Sequence, residues 1–176
     1  MDNFAEQLVK KNETSGDKTR RVLMVIVGIF FALALAALAV LQLRTPLIAL
    51  LGFALAVAAG YGTFHIVQNT FVEYEYTFTN NQLDFAQVFN NKKRKNLGTM
   101  NIKNLEACGL VSSGSFNRYI NMQGIKRTNW FLNRDAELMY FYYQKDGQKR
   151  IIIIEPNEEM IALIKRNLPQ GVWQNN

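Results

Sequence analysis

This chain predicts an α+β membrane protein, in which an N-terminal two-helix transmembrane hairpin precedes a seven-stranded antiparallel sheet, curved or closed into a partly open barrel, and a C-terminal capping helix. Three observations predict it. Two apolar runs, Val22 to Leu43 and Leu47 to Val67, are separated only by Arg44, Thr45 and Pro46, and each has the roughly 20 apolar residues a helix needs to cross a hydrocarbon core. From Thr70 onward apolar residues recur at every second position, as in half-buried strands. One amphipathic stretch after Pro156 then has the composition of a capped helix.

Residues 1–21 read as a cytoplasmic tail. Asp2 to Lys11 has the spacing of a short helix with Phe4 and Leu8 on one face and Val9 beside them, but such a helix is too short to persist alone in water, so a frayed tail is the better expectation. Asn12 to Asp17, polar and containing Ser15 and Gly16, predicts a linker. A basic start before an apolar run resembles a secretory signal, whose apolar core is about 7–15 residues. Here the run continues to Leu43 and a second one follows at once.

A three-residue link cannot cross a bilayer, so the two spans, 22–43 and 47–67, must run antiparallel with both ends on one side. Lys10, Lys11, Lys18, Arg20 and Arg21 precede the first span, against Arg44 alone in the link. Basic flanks stay inside, which predicts a multi-pass protein of the cell membrane with both termini cytoplasmic. Gly28, Ala32 and Ala36 recur every four residues in the first span, as do Gly52, Ala56 and Gly60 in the second. That spacing lets helices approach closely, on each other or on a second copy. Gln42 and His65 are the strongly polar residues of the spans and both lie near the ends; Tyr61 and His65 fit an interfacial belt. Such dry interiors argue for an anchor over a transport path.

The remaining segment, 70–176, is long enough for one domain with its own core. Val72, Tyr74, Tyr76 and Phe78 alternate with polar residues in a first strand, and Asn80-Asn81 suits a tight hairpin turn because Asn tolerates positive φ. Further strands are expected over Gln82 to Phe89, Lys95 to Met100 and Lys103 to Val111, then a loop from Ser112 to Gln123, then strands over Ile125 to Leu132 and Glu137 to Gln144. Lys145-Asp146-Gly147 is a strong hairpin signal, and the seventh strand contains Ile151 to Ile154, apolar on both faces. Asn157 followed by Glu158 and Glu159 reads as an N-cap with acidic first-turn residues. Met160, Ile161, Ile164 and Leu168 form the apolar stripe of the final helix, which Pro169 and Gly171 end.

Seven strands and a capping helix resemble the pleckstrin-homology-like (PH-like) fold. The hairpin followed by Tyr74-Glu75-Tyr76-Thr77-Phe78-Thr79, and the opening Met1-Asp2-Asn3-Phe4-Ala5-Glu6-Gln7-Leu8-Val9, resemble an uncharacterised two-span membrane family of Gram-positive bacteria with a C-terminal PH-like domain. The resemblance implies a seven-stranded PH-like barrel and brings no activity with it. Phosphoinositide-binding members carry a basic cluster in the first hairpin turn; this chain has Asn80-Asn81 there.

The composition leaves little room for a catalytic centre. There is one histidine and one cysteine, Cys108, so neither a thiolate metal site nor an intramolecular disulfide is open to it. No phosphate-cradling glycine loop occurs, and Glu73 and Glu75 read as a solvated strand face. No enzyme activity, metal or cofactor is expected. The formal charge is +6, most of it in the last segment, and the densest cluster is Lys92, Lys93, Arg94 and Lys95, predicted to project together from a turn onto anionic lipid headgroups or an acidic partner. An ordinary solvated turn is the alternative. A second group, Arg118, Lys126, Arg127 and Arg134, is interleaved with Phe116, Tyr119, Trp130 and Phe131. Base stacking suits that mixture, but beside a bilayer headgroup contact is the better expectation, and no nucleic acid is expected. The function expected is a membrane-anchored, non-enzymatic binding or scaffold module. The alternative is an accessory subunit of a larger membrane complex, pairing through its hairpin as a homo-oligomer or with another membrane protein.

Overall fold

The computed structural model describes residues 4–174. The chain forms two compact units, Glu13–Phe71 on one hand and Met1–Asn12 together with Val72–Asn176 on the other. The helical unit is therefore an insertion within the β domain.

In the helical unit, α1 spans Ser15–Leu41 and α2 spans Pro46–Gln68. Of the linker expected over Asn12 to Asp17, Asn12 to Thr14 is irregular and Ser15 to Asp17 already belongs to α1. Thr14 caps α1: its hydroxyl accepts from Asp17 N, and the Asp17 carboxylate accepts from Thr14 N in return. This capping box stabilises the start of a helix that begins seven residues before the apolar run. Pro46 occupies the first turn of α2, where its missing N–H costs nothing. Both helices are long and apolar enough to cross a bilayer.

The β domain contains eight strands, not seven. They are β1 (Phe4–Lys10), β2 (Val72–Thr79), β3 (Gln82–Phe89), β4 (Lys93–Asn101), β5 (Ala107–Leu110), β6 (Lys126–Trp130), β7 (Met139–Lys145) and β8 (Gln148–Ile154). They form two four-stranded sheets, ordered β1-β2-β3-β4 and β5-β7-β8-β6, and among the described residues no ladder joins the two sheets into a closed barrel. The first is an antiparallel meander. In the second, β6 runs parallel to β8, against the all-antiparallel expectation.

The additional strand is β1, where a helix or frayed tail was expected. A spacing of four between Phe4 and Leu8 satisfies a period of two as well as one of 3.6, so the pattern alone does not choose. The β2 ladder chooses: Phe4 to Lys10 pair in register with Thr79 to Glu73. Ala5 and Val9 are buried, while Phe4 and Leu8 face outward. Gln7 points inward, donates through Nε2 to Glu155 O at 3.0 Å and accepts from Asn157 N at 2.7 Å. Residues 1–3 of the expected tail lie outside the described residues.

Two further corrections concern the middle of the domain. The strand expected over Lys103 to Val111 is broken by a 3-10 turn at Ile102–Asn104, leaving β5 only four residues. The expected loop from Ser112 contains a short helix, α3 (Ser115–Ile120).

Asn80 and Asn81, Asn90 and Asn91, and Asp146 with Gly147 all have positive φ, as tight hairpins that follow the strand twist require. The main core lies between the sheets, where Tyr76, Phe78, Leu83 and Phe85 of the first meet Met139, Phe141, Ile152 and Ile154 of the second. The final helix, α4 (Glu158–Asn167), adds Met160 and Ile164 to this core. Its N-cap is Asn157, whose Oδ1 accepts from Met160 N at 2.8 Å. The outer face of the second sheet carries a smaller core of Tyr140, Tyr142, Ile151 and Ile153, onto which α3 packs Phe116, Tyr119 and Ile120. The four isoleucines are thus all buried, alternately in the two cores, as their two-sided apolarity requires.

Because β1 supplies core residues and the ladder on one edge of β2, a chain lacking residues 1–12 is expected to lose about 10 °C or more in Tm, or to lose its cooperative transition. Thermal unfolding in detergent followed by tryptophan fluorescence reads this directly. An unchanged Tm would show that the first strand is dispensable.

Candidate functional site

The basic cluster that dominates the sequence is all exposed, but its members do not project together as expected. The turn ends at Lys92 and β4 begins at Lys93, so strand alternation sends Lys93 and Lys95 to one face and Arg94 to the other. On the outer face the Arg94 guanidinium reaches the carboxylate of Glu75. Glu75 is only 8 % exposed. A carboxylate so withdrawn from water depends on its partner, which makes Arg94 a structural group. Glu73 is likewise mostly buried and pairs with Lys10 at 3.2 Å. The expected solvated face of Glu73 and Glu75 is therefore a pair of cross-strand ion pairs.

Register locates the remaining cations. Lys10 lies opposite Glu73, Glu73 opposite Val88, and Val88 opposite Arg94; Val72 lies opposite Phe89, and Phe89 opposite Lys93. Lys92 and Lys93 accordingly sit at the end of the sheet where the chain leaves β1 and re-enters at β2. Two strand spacings, about 10 Å, separate Lys93 from Val72.

The second expected group does not form one surface. Arg118 is exposed on α3, and Arg127, on the same side of the sheet, donates to Ile120 O. Lys126 and Trp130 occupy the opposite face of β6. Trp130 packs against Phe85 with ring centroids 4.7 Å apart, and its carbonyl accepts from the Tyr76 hydroxyl, so it belongs to the main core. Arg134 is exposed beyond β6. Its neighbour Asn133, a turn residue by its sequence, is 7 % exposed and ties three segments together. It donates to Lys10 O at 2.9 Å and to Glu155 Oε1 at 2.7 Å, and accepts from Asn12 N at 2.7 Å. Its sequence signal was absent, because a loop Asn reads as a turn residue.

In the helical unit the close approaches are at Gly28 and Gly52. A Cβ on Gly28 would collide with the side chain of Thr63, and one on Gly52 would lie 2.7 Å from Ala39 Cβ. Gly60 has no atom within 4 Å of such a position, so it lies off this seam. Gly28, Ala32, Ala36, Ala56 and Gly60 all line an apolar groove of about 500 Å³ along the pair. The open end is fastened by Arg21, which bonds Glu13 and Thr70 and lies 4.0 Å from the Phe71 ring centroid. His65 bonds Asn69 at 3.0 Å, with Tyr61 6.3 Å away. Among the described residues no three His, Cys, Asp or Glu side chains converge on a metal position.

A family model described as Bacterial PH-like domain (DUF6106) matches residues 1–174. The chain belongs to that family. The match runs through the strand before the helices as well as the domain after them, in keeping with a PH-like fold into which the helices are inserted. No curated protein and no solved structure matches the chain.

Within the PH-like domain, Cys108 is fully buried and burial pushes its thiol up to about 12 from 9.0. Burial also raises the hydroxyls of Tyr74, Tyr76, Tyr140 and Tyr142. A raised folded value means that the native state keeps protons which the unfolded chain releases. Stability from Cys108 is thus full below pH 9.0 and is lost as the pH climbs toward about 12. Chemical denaturation at a series of pH values should show this decline, and Cys108→Ala should make it shallower. A slope identical in the variant would remove the thiol from the account.

Proposed function

We propose that this protein is a membrane-anchored, non-enzymatic binding module, in which α1 and α2 cross the bilayer and the PH-like domain is held at the cytoplasmic surface with Lys92, Lys93 and Lys95 against anionic headgroups. One observation carries the reading. The strands flanking the two apolar helices are hydrogen-bonded neighbours, so both ends of the hairpin must emerge on the same side, and the end of the sheet from which they emerge is the end that bears the basic turn. Each basic group near an anionic surface is worth about 1 kcal/mol, and salt screens the contact over about 8 Å at physiological ionic strength. Family membership supports a binding or scaffold role; the excess of basic residues before the first span supports the cytoplasmic assignment.

Topology is tested by cysteine labelling in intact cells. With Cys108 replaced by Ala, a Cys at Thr45 should react with an impermeant reagent and one at Gln170 should not; the reverse pattern would overturn the orientation.

The headgroup contact is tested on the full chain in nanodiscs. Anionic lipid should slow hydrogen exchange in the β3–β4 hairpin relative to neutral lipid, and added salt should reverse the effect. Changing Lys92, Lys93 and Lys95 to Gln, with Arg94 kept as the partner of Glu75, should abolish it. Protection that persists in the triple variant would assign the effect to another surface.

A second reading, an accessory subunit that pairs through its hairpin, is favoured by the open groove beside Ala32, Ala36 and Ala56. It predicts salt-resistant crosslinking through the helices, where the headgroup contact is salt-sensitive.

A further inference from the structure

A second cationic locus lies on the inner face of the second sheet. β6, β7 and β8 contain no acidic residue, and their ladders place Tyr143 opposite Arg150 and Arg150 opposite Lys126. These three side chains stand in one row across adjacent strands, on the face that carries Ile152, Ile154 and Trp130, and the two cations are about 4.8 Å apart at their backbones. Like charges placed side by side oppose each other, and the acidic residue of the same row, Glu106, lies beyond Tyr143 on the far side from Arg150. Neither Lys126 nor Arg150 makes an ion pair among the described residues.

The state of Arg150 is the informative part. Its Nε is buried without a hydrogen-bond partner, while the residue as a whole is half-buried and Lys126 is exposed. A buried donor on a charged group left unmade is costly, and such an orphan in a folded protein calls for a missing partner. Arg94 shows the contrast within this chain: its partner is the carboxylate of Glu75. At Arg150 no side chain among the described residues supplies that partner. A fixed guanidinium fork beside a flexible ammonium matches the oxygens of a phosphoryl group, the fork taking two oxygens and the ammonium a third.

We propose that Arg150 and Lys126, flanked by Tyr143, form a phosphate-binding site of the PH-like domain. The proposal rests on the reading of the domain as a binding module, and is independent of the contact made by Lys92, Lys93 and Lys95. Two sources share the ligand chemistry, a soluble phosphate and the phosphate of a lipid headgroup.

The test uses the full chain in a phosphate-free maltoside detergent, so that it succeeds or fails without any bilayer contact. Inorganic phosphate, and in a second arm a short-chain phosphatidylglycerol, is titrated at constant ionic strength against chloride, with Tm and the Nε–H resonance of Arg150 as readouts. At least one arm should raise Tm saturably and shift that resonance. Arg150→Gln and Lys126→Gln should each weaken the effect at least tenfold, whereas Lys149→Gln, an equal charge change on the opposite face of β8, should leave it intact. Lys126 is exposed, so its variant keeps the test decisive even if the Arg150 variant folds poorly. A response to both probes indicates a soluble phosphate ligand, and a response to the lipid alone a headgroup. No saturable response in either arm, or an equal loss in Lys149→Gln, would overturn the site.

Discussion

The pairing of β1 with β2 is the constraint on which the rest depends. These strands are adjacent in the sheet and hydrogen-bonded along their whole length, yet the entire helical unit lies between them in sequence. A closed ladder fixes the chain's exit at Lys10 and its return at Glu73 to neighbouring positions, about one strand spacing apart. A pair of antiparallel helices suits that boundary condition, because its ends also lie side by side. The close approaches at Gly28 and Gly52 pack the helices along their length, the bonds of Arg21 to Glu13 and Thr70 hold their open ends together, and the Lys10–Glu73 pair does the same for the strands.

The second sheet is organised by what β1 requires. The edge strand ends in polar backbone that needs partners away from its own ladder, and Asn133, itself held by Glu155, supplies them. Glu155 also accepts from Leu132 N and Asn133 N, which holds the chain beyond β6 against the end of β8. Gln7 joins β1 to the start of α4. Side-chain amides and one carboxylate, all local in space and distant in sequence, thus join the N-terminal strand to the C-terminal helix. Each bond contributes on the order of 1 kcal/mol, but leaving any of these buried groups without a partner costs more.

Charge on this domain acquires meaning only through strand alternation. Four consecutive cations look like one patch in the sequence, and a period of two divides them into a structural ion pair and a solvent-facing set. The same rule breaks up the Arg118 to Arg134 group and places Arg150 beside Lys126, residues separated by 24 positions that no local pattern connects. Cys108 and Tyr76 show burial acting on titratable groups, raising the pKa of both.

The amino-acid sequence by itself determined the two long apolar helices, the three tight turns, the two-sided burial of Ile151 to Ile154 and the capped C-terminal helix. Each rests on a local pattern: run length, Asn or Asp-Gly at a turn, apolar periodicity, and an N-cap followed by acidic residues. Tertiary structure alone decided that Phe4 to Lys10 is a strand, that the strands divide into two sheets with β6 parallel to β8, and which cations are paired. Those outcomes depend on partners far away in sequence. A strand on the edge of a sheet is stable only with its neighbour beside it, and the face a charge occupies is set by the register of a ladder whose other half lies tens of residues away.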